Sequence, residues 1–392
     1  AGMTSDVIQA EANFGFNRLL AAGAQIATNV ATAWADVLAG EGPRGLRSVF
    51  SAALAQPLLR GSDPRIVLEP LTQAERNTLY QIRAFNRFRK VFAVAVATQY
   101  LRALELQDST HNTQAYYDAL AALHGRVVKL VTAGWLQGLE ADQIHQDMLR
   151  ARAALIVAQR KHQQALDEFK LTLALPIAAE FQMDLGLLEA LRTHGLPPPE
   201  LALEDAVETA LCRRLDLTNS ADAVLDAHRA VHVAADRLRA DLRLTAAVEV
   251  DTRGNRAVTV GPVLDLPLDR VPEQHVYRLA LLVVEERRRG YDHLADTIRV
   301  EVRDAHRKLL ATAARYQVAS EGLATAQMRS RKASVLLQHG QASSRRVLDA
   351  LGDLYDARSA ATNALVEYAI ALLDFYRDTE ALQVRPDGTY DL

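Results

Sequence analysis

The chain states one design twice, and that duplication limits the folds open to it more than any other feature. About a third of the way along, Ala133-Gly134-Trp135 opens a helical segment that runs to Pro176. Ile144, Met148, Ala151, Leu155, Ala158, Ala165 and Phe169 follow the alternating three-and-four spacing of a coiled-coil seam, with His162 in one slot. Near the end, His339-Gly340-Gln341 opens a second such segment. Its seam reads Val347, Leu351, Leu354, Ala361, Leu365, Tyr368, Leu372 and Phe375, with Arg358 as the polar exception. The two glycines are 206 residues apart (340 − 134). A second landmark agrees: Gln56-Pro57-Leu58-Leu59-Arg60 and Leu266-Pro267-Leu268-Asp269-Arg270 place their prolines 210 apart (267 − 57). Tyr80 and Tyr277 are only 197 apart, so the first copy carries extra residues around Asp63–Leu71. An internal repeat of about half the chain follows.

Ahead of each proline the periodicity changes from helical to two. Ala24, Ile26, Thr28, Val30, Thr32 and Trp34 alternate with small or polar residues, and Phe50, Ala52 and Leu54 do the same after the turn Gly40-Glu41-Gly42-Pro43-Arg44-Gly45. In the second half, Leu242, Leu244, Ala246, Val248 and Val250 lead through Asp251-Thr252-Arg253-Gly254-Asn255 to Val258, Val260, Leu264 and Leu266. Pro57 and Pro267 lack a ladder donor and are expected to mark the strand-to-helix transitions. Each half therefore reads hairpin, proline, long helix, glycine tip, long helix. The expected divisions are 1–61 (first hairpin, its preceding helix missing), 62–176 (first helical hairpin), 177–241 (connector and a helix from about Leu203 to Asp241), 242–267 (second hairpin) and 268–392 (second helical hairpin and tail).

The strands are near the length that crosses a bilayer in a barrel, about 9–11 residues. Four strands cannot close a barrel within one chain, and an open sheet in lipid leaves unpaired edges. Three copies give twelve strands, an even number. On this reading Leu244, Ala246, Val248, Val258 and Val260 face lipid, while Thr245, Ala247 and Thr259 face the lumen. A soluble coiled-coil scaffold with a small oligomerising sheet is the alternative, and it wastes the apolar strand face.

Other function classes find little support. Net charge is −3 and aromatics are 6% of the chain, which gives no global case for nucleic acid. The run Arg83-Ala84-Phe85-Asn86-Arg87-Phe88-Arg89-Lys90 mixes bases with aromatics but reads as the solvated face of a packed helix. His228 and His232 have metal-ligand spacing, yet Arg-Ala-Val separates them and no metal is expected. Cys212 is the single cysteine, so an intramolecular disulfide is excluded. No apolar run approaches a membrane helix, and the start Ala1-Gly2-Met3 shows no signal segment. No acid–base pair, nucleophile–histidine pair or phosphate loop stands out, so no enzyme and no cofactor are expected.

Taken together, the two strand-to-helix segments Ala53-Leu54-Ala55-Gln56-Pro57-Leu58 and Leu264-Asp265-Leu266-Pro267-Leu268, the hairpins, Gly134-Trp135-Leu136, and Gly340 with Val347-Leu348-Asp349-Ala350 and Leu354-Tyr355-Asp356-Ala357 resemble the TolC family of outer-membrane efflux ducts. The resemblance covers nearly the whole chain. It implies a mainly α fold of duplicated long-helix hairpins, forming a trimeric α-barrel in the periplasm, with a four-strand share of a β-barrel in the outer membrane. It also implies a homotrimer that meets a periplasmic adaptor and an inner-membrane pump, with no nucleic acid. By the same resemblance Gly134, Trp135, Leu136, Gly340, Gln341 and Ala342 are adaptor-docking tips, and Arg346, Asp349 and Asp353 line the pore constriction. Where the family commonly carries two aspartates, this chain has Arg346 and Asp349. The second half has a helix before its hairpin and the first half does not, so the family's corresponding tunnel-wall helix is expected to have been lost by truncation.

Overall fold

The computed structural model describes residues 7–37, 45–134, 137–196, 202–266, 268–385 and 390–391. In chain order it begins with strands β1 (Val7–Leu19), β2 (Gln25–Val37) and β3 (Gly45–Pro57). Helices α1 (Pro64–Val67), α2 (Glu69–Thr132), α3 (Gly138–Thr172), α4 (Gly186–His194), α5 (Leu203–Arg213) and α6 (Leu215–Asp236) follow. Strands β4 (Asp241–Asp251) and β5 (Arg256–Asp265) lead to helices α7 (Val271–Gln338) and α8 (Ser344–Asp378), and the short strands β6 (Gln383–Val384) and β7 (Tyr390–Asp391) close the order. Two compact units result: Ala1–Arg83 with Leu217–Leu294, and Ala84–Asp216 with Ala295–Leu392.

In the first unit the strands form one antiparallel sheet in the order β1-β2-β3-β4-β5. The β3–β4 ladder, from Val49↔Asp251 to Pro57↔Arg243, joins the two halves of the repeat. The expected count of four strands is corrected to five. Strand β1 pairs with β2 over thirteen positions, from Val7↔Val37 to Leu19↔Gln25. Its alternation of Ala10, Ala12, Phe14 and Phe16 with Glu11, Asn13, Gly15 and Asn17 suits a strand with one polar face. Pro57 is the last residue of β3, yet pairing continues beyond it, with the Leu58 amide donating to the Leu242 carbonyl at 2.7 Å. Adjacent residues of a strand donate to opposite sides. The missing donor at Pro57 therefore faces the β2 side, where the β2 ladder has already ended at Gln25↔Ala55. Pro267 lies outside the described residues.

Helices α2 and α7 each carry a proline, Pro70 and Pro272, in the first turn, where the absent N–H has no helical partner to lose. The expected single helix from Leu203 to Asp241 is instead two helices. Arg214 between them is extended (φ −66°, ψ 119°) and buried, held by Asp216 (2.7 Å) and Glu301 (2.5 Å). Burial of an arginine requires such partners.

In the second unit α3 and α8 are both 35 residues long, and their first residues, Gly138 and Ser344, are 206 apart, like the glycines. Each is followed at the same repeat position by a left-handed non-glycine residue, Ala174 (φ 54°) and Glu380 (φ 57°). Of the seam residues read from the sequence, Ile144, Ala151, Leu155 and Phe169 in α3 and Val347, Ala361, Leu365, Tyr368, Leu372 and Phe375 in α8 are buried, while Met148, Ala158, Ala165, Leu351 and Leu354 are half-buried. One cluster packs Val94, Leu101, Leu188, Leu365, Val366, Ala369 and Leu373. Another packs Leu120, Leu123 and Val127 of α2 with Ile144 of α3, Ala333 of α7 and Val347 of α8.

Candidate functional site

The sheet has two chemically distinct faces, which follow from register and strand alternation alone. Phe14, Val30, Phe50 and Val250 are successive partners across four strands, as are Thr28, Ala52, Val248 and Val258 across β2 to β5. On that face also lie Trp34, Leu54, Leu244, Ala246 and Val260. The opposite face carries Glu11, Asn13, Asn29, Ala31, Ser51, Ala53, Thr245, Ala247 and Thr259. The structure thus brings Leu244, Ala246, Val248, Val258 and Val260 together on one side and places Thr245, Ala247 and Thr259 on the other. The apolar side is uncovered: Phe14 is 76% exposed, Val258 69% and Val260 67%. Sequence reasoning missed the contribution of β1 to this face, although the alternation from Ala10 to Phe16 carried the signal.

At the tips, Gly134 (φ 77°) and Gly340 (φ 69°) occupy the left-handed region that glycine enters without steric cost. Their amides donate to the carbonyls of Val131 (2.9 Å) and Leu337 (3.0 Å), and the Gln341 amide reaches Leu336 at 2.8 Å, which satisfies carbonyls at the helix ends. Trp135 and Leu136 lie outside the described residues. Gln341 is exposed and Ala342 half-buried. The two hairpins are tied to each other just inside the tips, where the Ser344 hydroxyl of α8 donates to the Glu140 carboxylate of α3.

The residues assigned to a constriction lie on the first turns of α8. Arg346 and Asp349 are both exposed, but Asp349 pairs with Arg345 one turn earlier (3.3 Å) rather than with Arg346, and Asp353 pairs with Arg329 of α7.

The basic and aromatic run separates into two roles. Arg83 binds Asp222 (2.6 Å), Arg87 binds Glu380 (2.7 Å) and Asp216 (3.3 Å), and Lys90 also holds Glu380, so these bases answer carboxylates of the chain itself. Phe85, Phe88 and Phe92 stack in series, with centroids 6.4 and 5.7 Å apart. They border an apolar groove of about 720 Å³ together with Phe169, Leu187 and Leu191. In the first unit Asp226 accepts from Tyr80 (2.6 Å) and Gln73 (3.1 Å) and pairs with Arg229 (2.9 Å). Burial pushes its carboxyl pKa up, but these donors outweigh it and hold the pKa below the ordinary value. His228 and His232 are exposed on α6. Among the described residues no group of three or more His, Cys, Asp or Glu is placed to hold a metal, and no helix is long and apolar enough to cross a membrane.

No family model and no curated protein match this chain. Solved structures do. The CmeC outer membrane channel of Campylobacter jejuni matches with a TM-score of 0.71 at 14% identity, over 95% of this chain and 77% of that one. The outer membrane protein VceC of Vibrio cholerae matches at 0.70 and 15%, over 95% and 87%. CusC, described for the conformational changes that accompany its folding and transmembrane channel formation, matches at 0.71 and 16%, over 95% and 83%. Identity this low speaks for fold. The chain has the fold of these outer-membrane channels, which is the fold that its resemblance to the TolC family implies.

Proposed function

We propose that the chain is the protomer of a homotrimeric duct in the outer membrane. It passes small molecules or polypeptides outward from the periplasm, in series with a periplasmic adaptor and an inner-membrane pump. The observation that carries this reading is the uncovered apolar face of the sheet. In water, a continuous surface bearing Phe14, Val30, Phe50, Val248, Val258 and Val260 opposes solubility. Against lipid acyl chains it is stabilising, and the polar opposite face suits an aqueous lumen. A soluble scaffold needs no such face. The role needs no catalytic group and no cofactor.

On this reading the helices supply the tunnel wall and the turns at Gly134 and Gly340 present the adaptor-docking residues, Trp135, Leu136, Gln341 and Ala342 among them. Repeated three times about an axis, Arg346 and Asp349 give a ring of bases beside a ring of acids, with Asp353 a further turn along. The uncovered side of α3, with Leu149 and Ile156 exposed, is where a neighbouring copy packs. The deciding experiment is extraction and mass. The chain should leave the outer-membrane fraction only with detergent, run as a trimer by light scattering, and conduct ions in planar bilayers. A monomer soluble without detergent would sink the proposal.

A further inference from the structure

Resting on the trimeric-duct reading, we infer that β1 is a displaceable edge strand, which covers β2 until β5 of a second copy takes its place. Every pairing in the sheet is antiparallel and the order is β1-β2-β3-β4-β5, so the two edge strands, β1 and β5, run in the same direction. Identical copies joined edge to edge through these strands meet in parallel, with fifteen strands in a trimer. Barrels in bacterial outer membranes are even-numbered and antiparallel. Removing one edge strand from each copy restores both properties: β2 runs opposite to β5, and three copies of β2–β5 give twelve strands.

The duplication says which edge strand is the extra one. The β2–β3 hairpin ends at Pro57 and the β4–β5 hairpin leads to Pro267, the two prolines that mark the repeat. Ahead of β4 the second half has helix α6, whereas ahead of β2 the first half has β1. Strand β1 therefore has no counterpart strand in the second half, while β5 has β3. Its side chains from Ala10 to Leu19 are all exposed, so its hold on the sheet is the ladder to β2, joined through the turn in which Leu20 donates to Ala24 at 2.8 Å. An edge of backbone donors and acceptors is a pairing site for another chain, and a strand laid along it blocks that site. The faces also agree. Strand β2 alternates Val30 and Thr32 with Ala31 and Ala33, and β5 alternates Val258 and Val260 with Thr259 and Gly261, so an antiparallel β2–β5 seam continues both faces between copies.

The test locks β1 in place. In the full chain carrying Cys212→Ser, one variant adds Ala12→Cys with Thr32→Cys and another Asn13→Cys with Ala31→Cys. These are adjacent partners across β1 and β2, one pair of which has the close spacing of a non-hydrogen-bonded position. Control variants lock β2 to β3 through Thr28→Cys with Ala52→Cys, or Asn29→Cys with Ser51→Cys. Refolded into detergent, the oxidised β1-locked chain should stay monomeric and form trimers once a reductant is added, while the controls form trimers in both states. Trimer formation by the oxidised β1-locked chain would overturn the displacement and leave the duct intact. Absence of trimer from the Cys212→Ser parent would overturn the duct reading and this inference with it. A second measurement does not depend on the locked fold. Chains with Ala31→Cys are mixed with chains carrying Thr259→Cys and treated with a flexible bismaleimide, and a parallel mixture uses Asn13→Cys in place of Ala31→Cys. Cross-linking between β2 and β5 of different chains is expected; cross-linking between β1 and β5 instead would overturn the displacement.

Discussion

Helices α3 and α8 are two copies of one element, each 35 residues long, yet sixteen residues of α8 are buried and only four of α3. Both present a coiled-coil seam to the rest of their unit. Helix α8 goes further, because Ala364, Val366, Ala369, Ile370 and Leu373 bury the flanks of its seam as well. Helix α3 leaves Leu149, Ile156, Val157 and Leu171 in contact with solvent. The seam is a property of the single chain, whereas the covering of its flanks depends on what stands beside it. One copy of the element is finished within the protomer. The other leaves an apolar flank open, which the proposed trimer would cover with a neighbour.

The contrast breaks first at α8. Leu372 is buried among these residues, so Leu372→Ala should cost about 2–5 kcal/mol of the stability of its unit by denaturant titration. A loss under 1 kcal/mol would mean that α8 is no more finished than α3. In the sheet, the same opposition of covered and uncovered surface predicts that Val248→Arg costs about 2–4 kcal/mol in a membrane-folding assay while Thr245→Arg costs little. Equal tolerance at the two positions would remove the lipid assignment. On α3, Ile156→Asp should leave the unfolding free energy of the isolated chain within about 0.5 kcal/mol, because surface positions tolerate change. The same variant should abolish the trimer on native gels; a normal trimer would show that this flank is not the one a neighbour covers.

The smallest effect concerns acid. Asp226 has its folded-state pKa lowered, so the stability it contributes is present above the unfolded carboxylate value, about 3.9, and is lost as pH falls through the lower folded value. Asp226→Asn should lower stability at neutral pH, where the carboxylate is charged, and flatten the profile below about pH 4. An unchanged acid limb would mean that other carboxylates carry it.

Much of this was readable before any coordinates. Seam spacing located the four buried residues of α3 and six of the sixteen of α8, and the change to a period of two located β2 to β5. What escaped reading has physical causes. Seam spacing does not report whether Ile156 is covered, because a flank residue is apolar whether its neighbour belongs to the same chain or to another. Strand β1 was obscured by Ala10, Ala12 and Gly15, which weaken the contrast between its faces. The break at Arg214 is marked by neither glycine nor proline; the buried guanidinium there is held by Asp216 and by Glu301, 87 residues away. Arg346 and Asp349 were placed at the constriction by position in a family pattern, and that pattern does not report that the aspartate pairs with Arg345.

The left-handed corner that follows each return helix carries an evolutionary consequence. A duplicated gene begins with identical residues at Ala174 and Glu380, and both sites still hold a backbone geometry that costs a non-glycine residue about 1 kcal/mol or more. The shape has outlived the chemistry. At the second corner the glutamate is buried and tethered by Arg87 and Lys90; at the first, alanine makes the same bend without a charged tether. The second corner has thereby become dependent on three positions at once, and substitutions at Arg87, Lys90 and Glu380 are no longer independent of one another. The first remains free to drift, glycine included. Divergence after duplication has left one half of the molecule more evolvable than the other at the same bend in the chain.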